Sequence, residues 1–304
     1  MKTIRLPVLV LLLLVLGAGC SCSEESAPPE RVFDAAAAWT ILTNQVTFGP
    51  RNPGSSGHSA CLEYLVKALE HSCASVQTQE FIHEFDAQQY QMANVIGVLN
   101  PGGGDRIVLG AHWDTRPFAD RDPDPANQNT PIRGANDGAS GVAVLVQLAA
   151  QLSKAQFPYE IVIVLFDGED FGHTLDEYFL GSTYYAAQLD DSTRPKRAIV
   201  VDMVGDADLH LLREGNSLLS NRALVDTIWQ KGTELGFPQY AYDSGPYIWD
   251  DHIPLIQAGV PSVDVIDLDY PYWHTLADTP DKCSQDSLLA VGEVLYRLIA
   301  EGRL

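Results

Sequence analysis

The chain has 304 residues, 46% of them apolar and 19% charged, enough for one large domain with a substantial core. It carries 40 acidic residues against 19 basic ones, a formal net charge of −21. That balance excludes a nucleic-acid binder, which needs a basic face, and suits a protein that repels anionic partners.

Lys2 and Arg5 precede an apolar run from Leu6 to Leu16. The run is shorter than the ~20 residues of a spanning helix and reads as an export signal, set apart from the fold. Leu16-Gly17-Ala18-Gly19-Cys20 is similar to the lipobox of bacterial lipoproteins, with Gly17 where a leucine is more usual. The expectation is a signal peptide over 1–19, a lipid-bearing Cys20 opening a polar, proline-rich tether over 20–31, and a single domain over 32–304. The protein would then be exported and held by its lipid to a bacterial membrane, facing the periplasm or the outside. Cys61, Cys73 and Cys283 show no C-x-x-C spacing and are expected as buried free thiols. Cys61 and Cys73 flank a predicted helix, too far apart to pair.

From Val32 onward, Phe33, Ala36, Ala37, Ile41 and Leu42 recur at helical spacing. The stretch from Gly49 to Ser55 is a loop, and His58 to Glu70 is again helical. Strands are predicted over Ser75 to Phe85, Asn94 to Leu99 and Arg106 to Gly110. A helix over Gly141 to Leu152 leads to the β-branched run Glu160 to Phe166, which has the character of a strand buried on both faces. Ala198 to Asp202 is a strand, Asn221 to Leu235 a helix, Pro261 to Ile266 a last strand and Ser284 to Ala300 a closing helix. This alternation predicts an α/β fold, a three-layer sandwich in which helices cover a central, mostly parallel mixed sheet. No internal repeat is visible.

Ligands of such sheets bind beyond the carboxyl ends of the strands. Each predicted buried strand ends in candidate chemistry: His112-Trp113-Asp114 after the third, Asp167-Gly168-Glu169-Asp170 after the β-branched run, Asp202 after the next, and Trp273-His274-Thr275 in the loop after the last. Asp137 stands where a helix begins. Taken singly these have plain explanations. Asp137 could cap its helix, Glu169 and Asp170 could be solvated loop acids, His274 a surface histidine and Asp202 a strand-end acid. Asp114, two residues from His112 on an extended segment, can orient its ring. Together they converge on one edge of one sheet, where carboxylates repel one another unless a cation lies among them. Carboxylate with imidazole suits zinc.

As an ordered set, His112-x-Asp114, Asp137, Glu169-Asp170, Asp202 and His274 resembles the zinc aminopeptidase superfamily and its glutaminyl-peptide cyclotransferase branch, from about Val32 to the C-terminus. The resemblance implies zinc and a peptide substrate. In the two-zinc aminopeptidases the Asp137 position bridges both metals, His112 and Asp202 complete one, Asp170 and His274 the other, and Glu169 is the general base. In the cyclases one zinc is held by Asp137, Asp170 and His274, while Glu169, Asp202 and Asp250 share protons. Trp249-Asp250-Asp251-His252-Ile253-Pro254 and Trp273-His274-Thr275 are similar to the cyclase stretches. They imply substrate contacts from Trp249, His252 and Trp273. This favours conversion of an N-terminal glutamine to pyroglutamate with release of ammonia, by a monomer. Removal of N-terminal residues by a two-zinc aminopeptidase is the alternative. A non-catalytic peptide-binding lipoprotein comes last, because it would not need Glu169. The cyclases of animals carry Glu at the Asp170 position and a Trp soon after it. Here Phe171 or Trp113 is expected to wall the pocket instead. The loop over 118–131 is expected to act as a lid over the substrate or to be a mere insertion.

Overall fold

The computed structural model describes residues 30–304, so the expected export signal over 1–19 and the expected lipidation of Cys20 fall outside the described residues. Among the described residues no helix is long and apolar enough to cross a membrane. Two helices open the chain: α1 (Ala35–Thr47), whose first turn is capped by Asp34 accepting from Ala37 N, and α2 (Ser56–Glu70), capped by Ser55 accepting from His58 N. A long hairpin follows, β1 (Ser75–Phe85) and β2 (Gln88–Leu99). Its two-residue turn places Asp86 and Ala87 at positive φ. Then come β3 (Asp105–His112), α3 (Ala139–Leu152), β4 (Tyr159–Phe166), α4 (Leu180–Ala187) and β5 (Arg197–Asp202). The chain continues through β6 (Leu211–Arg213), α5 (Gly215–Glu234), β7 (Tyr240–Ser244), α6 (His252–Gln257), β8 (Ser262–Ile266) and α7 (Gln285–Ala300).

Six strands form one sheet in the order β1-β2-β4-β3-β5-β8. β2 pairs antiparallel with both β1 and β4, and β4, β3, β5 and β8 run parallel to one another. The alternation of side chains divides the core. Ile107, Leu109, Ile161, Ile163, Ile199, Val201 and Val263 face the layer of α1, α3, α5 and α7. Val108, Val162, Val164, Ala198 and Val200 face Tyr185 of α4 and Leu255 of α6. This is the mixed, mostly parallel sheet with helices on both faces that the pattern predicts. Cys61, Cys73 and Cys283 are unpaired, as expected.

Five elements differ from expectation. The short helices α4 and α6 and the small parallel pair β6–β7 lie in stretches to which the sequence pattern assigns no element. The helix predicted from Asn221 begins at Gly215 and breaks at Asn221 (φ −151°, ψ 69°). Asn221 accepts from Leu224 N at 3.2 Å and so caps the second segment, which is the start that its residue type signals.

Candidate active site

The four parallel strands deliver their carboxyl ends to one edge. His112 is the last residue of β3 and Asp202 the last of β5. The turn 167–170 leaves β4, the loop to His274 leaves β8, and Asp137 stands two residues before α3. Gly138 lies under the His112 ring, and a Cβ there would come within 2.3 Å of Nε2, so no side chain fits. His274 has a left-handed backbone (φ 55°), which costs a non-glycine residue about 1–2 kcal/mol.

His112 Nε2 lies 3.1 Å from Asp137 Oδ1 and 3.1 Å from Asp202 Oδ1. His274 Nε2 lies 3.2 Å from Asp170 Oδ2 and 3.7 Å from Asp137 Oδ2. The residues thus form two buried triads that share Asp137: His112–Asp137–Asp202 and Asp137–Asp170–His274. Within each, one ligand atom per residue lies within 4.8 Å of the others. The donor set fits zinc on a direct observation. Asp137 Oδ2 and Asp170 Oδ2 are buried and accept no hydrogen bond, and such anionic oxygens require a cation. The same acids also act on the two rings. Burial opposes a charged His274, but Asp170, Asp120 and Asp137 outweigh it and push the ring up to about 9. His112 is likewise raised well above its usual range, with Asp202 the largest opposing influence to burial.

Around the triads lies a layer of groups that the sequence reading missed. Arg116, 2% exposed, donates to Asp170 Oδ1 at 2.9 Å and leaves Oδ2 turned toward His274. Its Nη2 and Nε reach Asp120 at 2.7 and 3.0 Å. Asp120 in turn pairs with His274 Nδ1 at 3.1 Å, which orients the ring. Asp122 accepts from Leu276 N at 3.0 Å, and Arg121 N donates to His274 O at 3.1 Å. The loop over 118–131, expected as a lid or a mere insertion, thus supports His274 from behind through Asp120, Arg121 and Asp122. Asp114 lies 3.5 Å from His112 Nδ1, as its spacing suggests. It also accepts from the backbone N–H of Glu169 and Asp170. Asp278 accepts from Asn136 N, Asp137 N and the Tyr270 hydroxyl. A signal for Arg116 was present: an arginine two residues after Asp114, beside acids that must be buried.

Above the second triad opens a cavity of about 300 Å³, walled by Tyr178, Phe179, Trp249 and Trp273 and floored by Asp137, Glu169, Asp170, Asp202, Asp250 and His274. Trp249 and Trp273 are 56% and 39% exposed and form its rim. Wider depressions of about 950 and 690 Å³ open elsewhere, but no triad residue lines them. Burial, then Asp202, pushes Asp250 up to about 6. Burial raises Glu169 well above the carboxylate range; His112 opposes the rise, while Asp170, Asp250 and Asp251 add to it.

Three expectations are corrected here. His252 is fully buried beneath the cavity, with Nε2 3.4 Å from Glu214 and Nδ1 3.5 Å from Asp264, and does not line it. Trp113 is fully buried and stacked on His58. Phe171 packs against Phe81 and Met92. The wall sought from those two comes from Tyr178 and Phe179, because the turn after Asp170 folds back and binds Phe179 N to Glu169 O at 2.8 Å.

Helices on both faces of a mostly parallel sheet, with carboxylate–imidazole triads at its strand ends, define an enzyme of the zinc exopeptidase class. The chain belongs to peptidase family M28, whose profile matches residues 94–299. It is similar to a zinc-dependent exopeptidase of Parabacteroides distasonis, at 34% identity over 90% of this chain and 99% of that one, with a TM-score of 0.85. It is also similar to the glutaminyl cyclase of Bacteroides thetaiotaomicron, solved with N-acetylhistamine bound, at 35% identity over 90% and 99% of the two chains, with a TM-score of 0.84. The glutaminyl-peptide cyclotransferase of Bos taurus is 24% identical over 289 residues, 83% of this chain and 78% of the relative. The protein is thus an enzyme of the cyclotransferase or metallo-aminopeptidase type.

Proposed function

We propose that the protein is a zinc-dependent glutaminyl-peptide cyclotransferase, which closes the N-terminal glutamine of a peptide to pyroglutamate and releases ammonia. The observation that carries this reading is the second acid of the cavity. Asp250 is 3% exposed and lines the same floor as Glu169 and Asp202. A peptide hydrolase needs a single base to activate water. Ring closure moves a proton off one nitrogen and onto another within the same cavity, and acids that hold a proton near neutrality serve that transfer.

Asp137, Asp170 and His274 would hold the zinc, which when bound supplies Lewis-acid polarisation of the glutamine's γ-amide carbonyl. Glu169 takes a proton from the α-amine. The amine nitrogen attacks the amide carbon, the ring C–N bond forms and the bond to the amide nitrogen breaks. Glu169 passes its proton to the departing nitrogen, which leaves as ammonia. Asp202 and Asp250 keep the proton on this cluster, and the rings of Tyr178, Phe179, Trp249 and Trp273 shield it from water.

One observation favours a second reading, an aminopeptidase. The triad His112–Asp137–Asp202 is assembled as fully as the first, and a second zinc there would turn Glu169 toward water and the first peptide bond. A paired assay separates the two: ammonia release from a glutaminyl peptide and amine release from a leucyl anilide, each with and without chelator. The cyclotransferase reading expects chelator-sensitive ammonia release and no anilide cleavage, and the reverse pattern would reject it. Glu169→Gln is expected to retain zinc and to lose about 10²–10⁴ in turnover. Full turnover by a zinc-loaded variant would remove Glu169 from this role.

A further inference from the structure

We infer that the cavity continues into a second subsite, a shelf of about 340 Å³ that takes a bulky apolar side chain from the residue following the substrate's N-terminal glutamine. The inference rests on the cyclotransferase reading of the cavity. Tyr178, Phe179 and Trp249 line both spaces, so the shelf adjoins the cavity across these three rings. Beyond those shared walls lie Leu175, Ile253 and Pro254, and Leu175 is 52% exposed. A second residue has its Cα about 3.8 Å from the first. A glutamine seated on the floor therefore presents the next side chain at the rim, where Trp249 separates the two spaces. An apolar side chain there covers Leu175 and the face of Trp249, both of which otherwise meet water.

The shelf is rigid. The 3₁₀ turn Leu175–Glu177 is closed by a capping box in which Glu177 accepts from His173 N and Thr174 N at 2.7 and 2.9 Å. Phe179 N and Leu180 N donate to the carbonyls of Glu169 and Gly168, which fixes the shelf wall to the turn that carries the base. The far side is the first turn of α6. Asp176 is the one charged residue lining the shelf, so an acidic second residue is disfavoured by repulsion as well as by desolvation.

The test compares the zinc-loaded enzyme on Gln-Phe, Gln-Ala and Gln-Asp amides by ammonia release. We expect kcat/KM for Gln-Phe to exceed that for Gln-Ala by about tenfold or more, and Gln-Asp to be poorest. Leu175→Ser and Thr183→Phe, both at exposed positions, respectively strip and fill the shelf. Each is expected to bring Gln-Phe down toward Gln-Ala and to leave Gln-Ala unchanged. Equal rates on Gln-Phe and Gln-Ala, or a preference that survives both variants, overturns the subsite alone. Absence of ammonia from all three peptides overturns the cyclotransferase reading and the subsite with it.

Discussion

Arg116 does two things that a metal ligand cannot do for itself. By holding Asp170 Oδ1 it leaves Oδ2 free, and by holding Asp120 it fixes the acid that orients His274. Two of the three residues of one triad thus depend on a single guanidinium. Arg116→Met is expected to weaken zinc binding about 10–100-fold, measured by competition with a chromogenic chelator, and unchanged affinity would show that Asp170 and His274 hold their own geometry. At this scale the residues of the two triads were legible as candidates in the sequence, because residues whose type suits a metal sit where parallel strands end. Arg116 left one local sign, its place two residues after Asp114, but nothing near it or Asp120 shows that they meet Asp170 and His274. His252 was misplaced for the related reason that its neighbours Trp249 and Asp250 do line the cavity, while α6 turns its own ring inward.

Glu214 shows how one cap positions a whole stretch of the cavity's rim. It begins α5 by accepting from Asn216 N and Ser217 N, and it also accepts from Ile248 N, one residue before Trp249. Burial raises its carboxyl, but the His252 contact and these backbone donors outweigh burial and bring it down to about 2. A depressed carboxyl stabilises the fold fully above its unfolded value near 4.5, and the contribution is lost as pH falls through about 2. Glu214→Gln is therefore expected to lower stability at pH 7 by about 1–3 kcal/mol, with the deficit narrowing at pH 3, as urea unfolding would report. A deficit equal at both pH values would mean that the charge plays no part. Long periodic elements such as α7 and β4 were readable from pattern alone. The first turns of α5 were not, because their cap is a glutamate held by distant donors and the break at Asn221 imitates a helix start.

Across the molecule, four parallel strand ends and the loops beyond them meet at one acid-rich edge. A cation held by Asp137, Asp170 and His274 would join the turn after β4, the start of α3 and the loop after β8, segments far apart in sequence. Without it the clustered carboxylates would repel one another. Chelation is expected to lower the melting temperature by about 5 °C or more, reversibly on adding zinc, and a melting temperature indifferent to chelator would deny the metal any part in holding this edge together. The architecture was readable because strands and helices alternate. The division of labour between the two triads was not, since both are complete in composition.

The outer edge of β1 is paired with no described strand. An 11-residue strand with free backbone donors and acceptors is a template on which copies could stack into fibrils. Ile82 is 55% exposed there, yet it is flanked on the same face by Glu80 and Glu84, both exposed. Stacking a second β1 against this one would bring like charges together on either side of Ile82. Replacing both glutamates by valine is expected to make the protein scatter more light on concentration, and unchanged scattering would deny these acids any part in blocking the edge. The acids on β1 would thus oppose edge-to-edge stacking, a role distinct from that of the acids at the strand ends.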